Sequence, residues 1–439
     1  MGKRRCIILL LAVLVFGLEA CTIPISRARE GVLVTPLASP ERTPVYENGG
    51  WIIARASMHN HTVFSDGIRS MEGLVQLARN QGIAVLAITD HHQLGMQFGP
   101  IRVKSNSITE RKGGYEDYFQ HLCRLRDETT DVIIIPGVEY TGWGWAEGKF
   151  SNANLWGMSH HFVVYGIEDS RVWEQAPHQV ELPVKEYNDP DSELEPLITL
   201  VRYFREAGGM VFWAHPDWYN EGSYGPIKVR DHPCGRLVNQ LKELNGFAAV
   251  PEGIFEGAQP GEPWDHALLE YIIGEREAPI WAIGDADYHG EPHTLANGTT
   301  MLYLHQLTHE QVYEAMGKGR MVVFMGDPFQ DVFVKEFWVS GGGPSEHEIM
   351  LGETVKLESI PRIHFALSRD IPSIRVWLIR NGKVIYETTG SEFDYIDELA
   401  FERGLPAYYR VEVKGERKSQ DEPWPWSSYL FTNPIFVEF

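Results

Sequence analysis

From residue 52 to residue 284 the chain alternates short apolar runs with segments of helical spacing, and this alternation constrains the fold more than any other feature. The runs are residues 52–59, 85–89, 132–136, 161–165, 210–214, 253–255 and 280–284. Helical segments fall at 70–80, 115–128, 196–207, 264–275 and 310–317. Ser70 can cap the first, with Leu74, Leu77 and Ala78 on one face and Gly82 just beyond its end. Gly208-Gly209 closes the third, and Thr308 with Gln311 forms a capping-box pattern. Apolar runs too short for helices, most of them followed by a helical segment, read as an α/β fold with a parallel sheet. No Gly-x-Gly-x-x-Gly follows the first run, so a dinucleotide fold has no support.

The residues at the ends of these runs are of one chemical kind. His59, His61 and Asp66 follow the first, and Asp90, His91 and His92 follow the second. Glu139 comes after the third, His160-His161 opens the fourth, and His215 follows the fifth. Asp285, Asp287 and His289 follow the last. Imidazole and carboxylate are the ligands of zinc, iron and manganese. His59 and His61, two apart on an extended strand, point to the same side. A single histidine is more often a satisfied polar residue than a ligand. Repetition at strand after strand favours a metal site, and favours a closed barrel over an open sheet, since a barrel gathers its functional groups at the carboxyl ends of its strands.

The segments H-N-H-T…S-D-G, T-D-H, G-V-E, H-F-V-V-Y-G, A-H-P and D-Y-H, in that order between Met58 and Gly290, resemble the successive motifs of the PHP (polymerase and histidinol phosphatase) family of metal-dependent hydrolases. The resemblance implies a distorted (β/α)7 TIM-like barrel with two or three divalent metal ions: zinc, manganese or iron. By the same resemblance His59, His61, Glu139 and Asp287 would hold one metal, and Asp66, His91 and His289 a second. Glu139 would bridge to a third held by His161 and His215, with His160 and His161 able to exchange roles. Asp90 and Asp285 would orient ligand rings, and Glu256 would line the pocket. The layout, with a β domain closing on T-N-P-I-F-V, is most similar to the secreted carbaryl esterase-like branch of the family.

Closely spaced metals can hold a bridging water as hydroxide at neutral pH, so the expected reaction is hydrolysis. Asp90, His92 and His289 are the candidates for catalytic proton transfer. The bond is expected to be an ester or amide of a small molecule, because Tyr140, Trp143, Trp145, Trp156, Trp213 and Trp218 would wall an aromatic mouth. Insertions at 93–114, 141–159 and 169–195 would lie over that mouth. The first alternative is a phosphoesterase using Arg55, Arg69, Arg111, Lys112 or Lys149. The second, from another class, is a lipid-anchored carbohydrate-binding protein with an inactive barrel.

A formal net charge of −21 argues against a nucleic-acid partner, which calls for a basic face. Residues 1–20 carry Lys3, Arg4 and Arg5 before an apolar run and end in Leu18-Glu19-Ala20-Cys21, which resembles a bacterial lipobox. Cleavage there would leave Cys21 lipidated and the chain anchored in the bacterial cell envelope, on a tether over 21–45 that contains four prolines. The barrel is expected over 46–326. Beyond it, over 327–439, Asn381-Gly382 between two alternating runs signals a hairpin within a C-terminal antiparallel β domain of sandwich type. Cys123 and Cys234 could pair or stay reduced.

Overall fold

The structure is a computed structural model that describes residues 44–93, 96–98, 101–103, 106–141, 145–149, 152–157, 160–177, 194–224, 227–417 and 426–439. The expected signal segment, Cys21 and nearly all of the tether lie outside the described residues. The chain is a mixed α/β protein built on a large mixed sheet. Its first seven principal strands are β1 (Trp51–Ser57), β2 (Val85–Ile88), β3 (Ile133–Thr141), β4 (His161–Tyr165), β5 (Met210–Trp213), β6 (Gly246–Val250) and β7 (Trp281–Gly284). Two more, β8 (Thr299–Leu304) and β9 (Met321–Met325), were not signalled by the repeating unit. The helices Met71–Asn80, Gly114–Glu128, Leu194–Glu206, Pro263–Ile272 and His309–Lys318 lie close to their expected places, and Ser70 caps the first by accepting from the Gly73 N–H.

Two expectations need correction. The sixth strand is Gly246–Val250, not 253–255, and Ile254–Ala258 is a π-helical turn. Gly246-Phe247-Ala248-Ala249-Val250 is the continuous apolar run, and Pro251 follows it where a strand N–H would be lost. The sheet is also not all parallel. β1–β2, β2–β3, β5–β6 and β6–β7 pair in parallel, but β4 runs antiparallel to both β3 and β5. No helix is described between β3 and β4; a ladder of Trp145–Lys149 with Asn152–Trp156 stands there. Without a crossover helix the chain returns beside its neighbour in the opposite direction. β8 pairs antiparallel with β1 and β9, and the Gly284 N–H at the end of β7 donates to the Thr300 hydroxyl on β8.

Alternate residues of β1, β8 and β9 serve two apolar layers. Ala54, Ala56, Leu302, Leu304 and Val323 join the layer shared with β2–β7 and the helices. Ile53, Met301, Tyr303, Val322 and Phe324 join a second layer with Phe337, Phe365 and Val411. The period of two along a strand is what divides them. The C-terminal strands are mainly antiparallel, and the expected hairpin is present: Ile374–Arg380 pairs with Lys383–Thr388 across Asn381 and Gly382, at φ 49° and 77°. Both central residues at positive φ fit a type I′ turn. Trp426–Thr432 pairs with β9, so the sheet runs on into this region. Asn433 supports the junction: its Oδ1 accepts from the Ala282 N–H, and its Nδ2 donates to the carbonyls of Ala282 and Met321.

Cys123 and Cys234 are not disulfide-bonded. Among the described residues no helix is long and apolar enough to cross a membrane.

Candidate metal centre

Beyond β1 the backbone is held tightly. The Asn60 side chain donates to the carbonyls of Ser57 and Ala87, and the Asn60 N–H donates to the Thr89 hydroxyl. This fixes His59 and His61 on one side, with their Nε2 atoms 3.0 Å apart. The next turn, Thr62 to Gly67, brings Asp66 back toward His61. It needs glycine at 67, since a Cβ there would lie 2.3 Å from the His61 carbonyl oxygen. Asp90 holds this turn, accepting from the N–H and hydroxyl groups of both Thr62 and Ser65 at 2.7–3.0 Å. It therefore acts on the loop rather than on a ring directly, and it is fully buried. Asp285 does orient a ring: its Oδ1 lies 2.8 Å from His59 Nδ1.

Glu139, near the end of β3, is fully buried at the centre of five imidazoles. Its Oε2 lies 2.7 Å from His91, 3.3 Å from His59 and 3.3 Å from His61. Its Oε1 lies 2.6 Å from His161 and 2.9 Å from His215. Asp287 Oδ1 lies 3.2 Å from His61 and 3.7 Å from His59, and His289 lies 3.2 Å from Asp66. The nine residues expected as ligands thus stand in one assembly. Their ligand atoms form overlapping groups: His61, Asp66, His91 and His289; His59, His61, Glu139 and Asp287; His91, Glu139 and His161. The expected trio of Glu139, His161 and His215 is split: His161 and Glu139 group with His91, and His215 groups with His59 and Asp285. The assembly opens on one side, where Asp66, His289 and Asp287 are 28%, 35% and 36% exposed.

The geometry suits a cation. A tetrahedral site with bonds of about 2.1 Å has edges of about 3.4 Å, and within the group of His59, His61, Glu139 and Asp287 the imidazoles stand 3.0–3.7 Å from one another and from the carboxylate oxygens. Glu139 Oε2, Asp287 Oδ1 and Asp66 Oδ1 are buried without a hydrogen-bond partner among the described residues. Acceptors buried in this way are costly unless something positive meets them. The backbone bears the same mark. Only four non-glycine residues among those described have positive φ, and His215 (49°) and Asp287 (41°) are two of them. Such conformations persist where the surroundings over-determine them and concentrate at functional sites.

Charge is balanced internally. Burial disfavours the ionised carboxyl of Glu139, but His161, His91 and His59 outweigh it and hold the group well below the usual range. Asp287 is held low in the same way by His289, His215 and His59. Burial opposes protonation of His215, yet Asp287, Glu139 and Asp285 push it up to about 9. Asp287 and Asp66 likewise outweigh burial and raise His289 to about 10. In the metal-free chain these protons stand where cations would.

Strand alternation separates the remaining candidates. His91 faces the assembly and His92 faces away, so His92 is not placed for proton transfer to a substrate there. Its Nδ1 meets the Tyr115 hydroxyl, and its ring stacks on Tyr140 at 4.0 Å. His161 faces inward, while His160 lies against Trp213, with burial and then the neighbouring His161 pulling its pKa down to about 3. The aromatic mouth also needs revision. Tyr140 and Trp213 are buried behind the sheet, and Trp156 stacks on His232. Trp143 lies outside the described residues, as does the side chain of Trp145. Glu256 sits in the π-helical turn, where its N–H donates to Asp217. The carboxylate near the centre is instead Glu252, 3.6 Å from His215 Nδ1 and pushed up to about 7 by burial, with His215 acting against the rise. Placing the sixth strand at 246–250 would have exposed Glu252 as another strand-end carboxylate.

Residues 57–174 match the model of the PHP domain family. No curated protein matches the chain. Among solved structures, a two-domain protein of Bacteroides vulgatus containing an inferred PHP-like metal-dependent phosphoesterase is 14% identical, covers 90% of this chain and 99% of its own, and has a TM-score of 0.42. An inferred metal-dependent phosphoesterase of Bifidobacterium adolescentis is 14% identical over 54% of this chain and 89% of its own, at a TM-score of 0.27. An amidohydrolase of Chromobacterium violaceum, with bound sulfate and no metal, is 16% identical over 54% and 88%, at 0.26.

Proposed function

We propose that the chain is a metal-dependent hydrolase of small-molecule esters, with a phosphoester favoured over a carboxyl ester or amide. The observation that carries the hydrolase reading is the set of buried imidazoles and carboxylates around Glu139, whose spacings suit cations and whose acceptor oxygens lack other partners. His59, His61, Glu139 and Asp287 would hold one ion, Asp66, His91 and His289 another, with His161 and His215 on the far oxygen of Glu139. Divalent ions bound there would polarise the scissile bond and activate water for attack. Asp285 orients His59, Asp90 holds the turn that presents Asp66, and the exposed edge at Asp66, Asp287 and His289 admits substrate. The preference for phosphoesters rests on what surrounds the site. Two of the aromatic residues that would favour an aryl ester are buried behind the sheet, whereas Arg111 bonds the loop that carries Asp66.

Beyond the site, the reading extends to a distorted (β/α)7 barrel over 46–326, supported by the bond from β7 to β8, and to a C-terminal β domain over 327–439. It also extends to an envelope location through a lipid on Cys21, supported by the lipobox-like sequence.

The test is metal analysis of the purified chain together with turnover of bis-4-nitrophenyl phosphate and 4-nitrophenyl acetate. Two or more divalent ions per chain with faster phosphodiester turnover is the expected result. Preference for the acetate would move the assignment to the carboxyl-ester branch. A chain that takes up no zinc, iron or manganese and turns over neither would end the hydrolase reading.

A further inference from the structure

Next to the metal-site loop lies a groove of about 460 Å³, lined by Val63, Phe64, Arg111, Lys112, Asp117, Gln120, His121 and Arg124. Its two walls differ in kind. Val63 and Phe64 belong to the turn between His61 and Asp66, and Val63 is 44% exposed although apolar. The opposite wall is polar and mostly basic. In the helix Gly114–Glu128, Tyr115, Tyr118, Phe119 and Leu122 are buried, which leaves Asp117, Gln120, His121 and Arg124 on the outer stripe at helical spacing. Arg111 and Lys112 precede that helix. Arg111 joins the two walls: its Nη2 donates to the Ser65 carbonyl at 3.0 Å and its Nε to the Phe64 carbonyl at 3.3 Å. Lys112 and Arg124 are exposed and make no ion pair among the described residues. The opposing charges include Asp117 on the same stripe, Glu116, which accepts from Gln120 at 3.2 Å, and Glu72, which lies 2.7 Å from His121. In a chain of net charge −21, three guanidinium or ammonium groups around one groove stand against the general field.

We propose that this groove is a second substrate subsite, which takes an anionic group, phosphate or carboxylate, attached to an apolar portion of the molecule whose ester reaches the metal centre. The inference rests on the hydrolase reading for the word substrate, but not for the binding. The volume falls within the range of small-molecule pockets. The apolar wall would cover a ring or alkyl segment, and Lys112 and Arg124, beside the tethered Arg111, would take the anion through charge-assisted hydrogen bonds. The apolar wall belongs to the same turn, between His61 and Asp66, that presents Asp66 to the metal assembly, and the turn is what connects the groove to that assembly. The substrate class is thus a small apolar molecule with two polar ends: the ester that is cut, and an anion that is held.

The probe is phenylphosphonate, which carries a phosphonate on an aromatic ring and has no ester to cleave. Its binding to the full-length chain is measured by calorimetry before and after chelator treatment, so that contact with bound metal is separated from contact with the groove. Chelator-treated wild type should bind it with an affinity that falls with added salt, and methylphosphonate, which lacks the ring, should bind more weakly. The double substitution Lys112→Ala with Arg124→Ala should weaken phenylphosphonate about tenfold or more, leaving metal content and the circular dichroism of the folded chain unchanged. Equal affinity in wild type and variant, or no binding in either, would overturn the proposal. If the phosphonate binds in a variant-sensitive way but the metal-loaded chain hydrolyses no ester, the hydrolase reading fails while the groove stands as an anion site.

Discussion

Two buried charge assemblies in this chain follow opposite rules. In one, Asp265 and Arg410 meet in a paired geometry, with Nε to Oδ1 at 2.8 Å and Nη2 to Oδ2 at 2.7 Å. The Tyr408 hydroxyl adds a third donor at 2.7 Å, and the Arg410 guanidinium stands 4.6 Å from the centre of the Trp264 ring. Each carboxylate oxygen there faces a donor. In the other, around Glu139, two imidazole nitrogens approach to 3.0 Å and carboxylate oxygens lie buried with nothing donating to them. In the first network both Asp265 oxygens are met, although Arg410 Nη1 finds no partner among the described residues, and the pair joins the Pro263–Ile272 helix to the C-terminal strands. The second is incomplete without protons or cations. Burial of charge alone does not distinguish a brace from a binding site, whereas the presence of a donor at each carboxylate oxygen does.

Removing a member of the incomplete assembly should affect metal and activity most. His59→Ala or Asp287→Asn should abolish ester turnover and lower bound metal, while circular dichroism still reports the folded chain. Full activity in either variant would remove those residues from the site. Breaking the Asp265–Arg410 pair should do the reverse. Arg410→Ala leaves Asp265 buried without its partner and should cost about 3–5 kcal/mol of stability, read as a lower denaturation midpoint, with metal per folded chain unchanged. A loss of metal in that variant without a loss of stability would erase the distinction.

A smaller effect, graded with pH, follows from the raised histidines. His215 and His289 titrate near 9 and 10 in the metal-free chain, above the ordinary value of 6.5. Their protonated forms are favoured by folding, so in the metal-free chain their contribution to stability is fully present below about pH 6.5 and is lost as pH rises through 9 to 10. The depressed carboxyls Glu139 and Asp287 contribute in the other direction: their share is present above their ordinary values and is lost as the solution is acidified. Metal must displace the imidazole protons, so its apparent affinity should rise with pH across the same interval in which the metal-free chain loses the histidine contribution. Thermal melts with and without chelator from pH 6 to 10 should therefore diverge. Parallel curves would show that these two histidines do not exchange protons for metal.

The repeating unit made much of this legible. Residue type and place beside a short apolar run gathered the candidates, and the resemblance to the PHP motifs picked His59, His61, Asp66, His91, Glu139, His161, His215, Asp287 and His289 from among neighbours such as Asp90, His92, His160 and Asp285. The direction of β4 was not legible, since antiparallel pairing there depends on the segment between β3 and β4 rather than on the strand's own residues. Glu252 was missed because Gly253, Ile254 and Phe255 form an apolar triplet that resembles a strand but folds as a turn. The groove at Arg111 and Arg124 was invisible because it forms only when the turn after His61 packs beside a helix more than forty residues later.

The sharpest small test separates neighbours that residue type and strand-end position alone do not tell apart. His91 and His92 adjoin in the chain and both are buried, at 7% and 2% exposure. Pairing of His91 with Glu139 and of His92 with Tyr140 puts the first among the ligand atoms and the second in an aromatic stack with Tyr140 and Tyr115. His92→Phe keeps a flat ring in the stack and removes the bond to the Tyr115 hydroxyl, so it should cost about 1 kcal/mol and leave bound metal and turnover as in wild type. His91→Phe removes a group 2.7 Å from Glu139 and should lower both. Were His92→Phe to lose metal to the same degree, the two faces of this strand would not be divided as described, and His92 would have to be counted among the ligands.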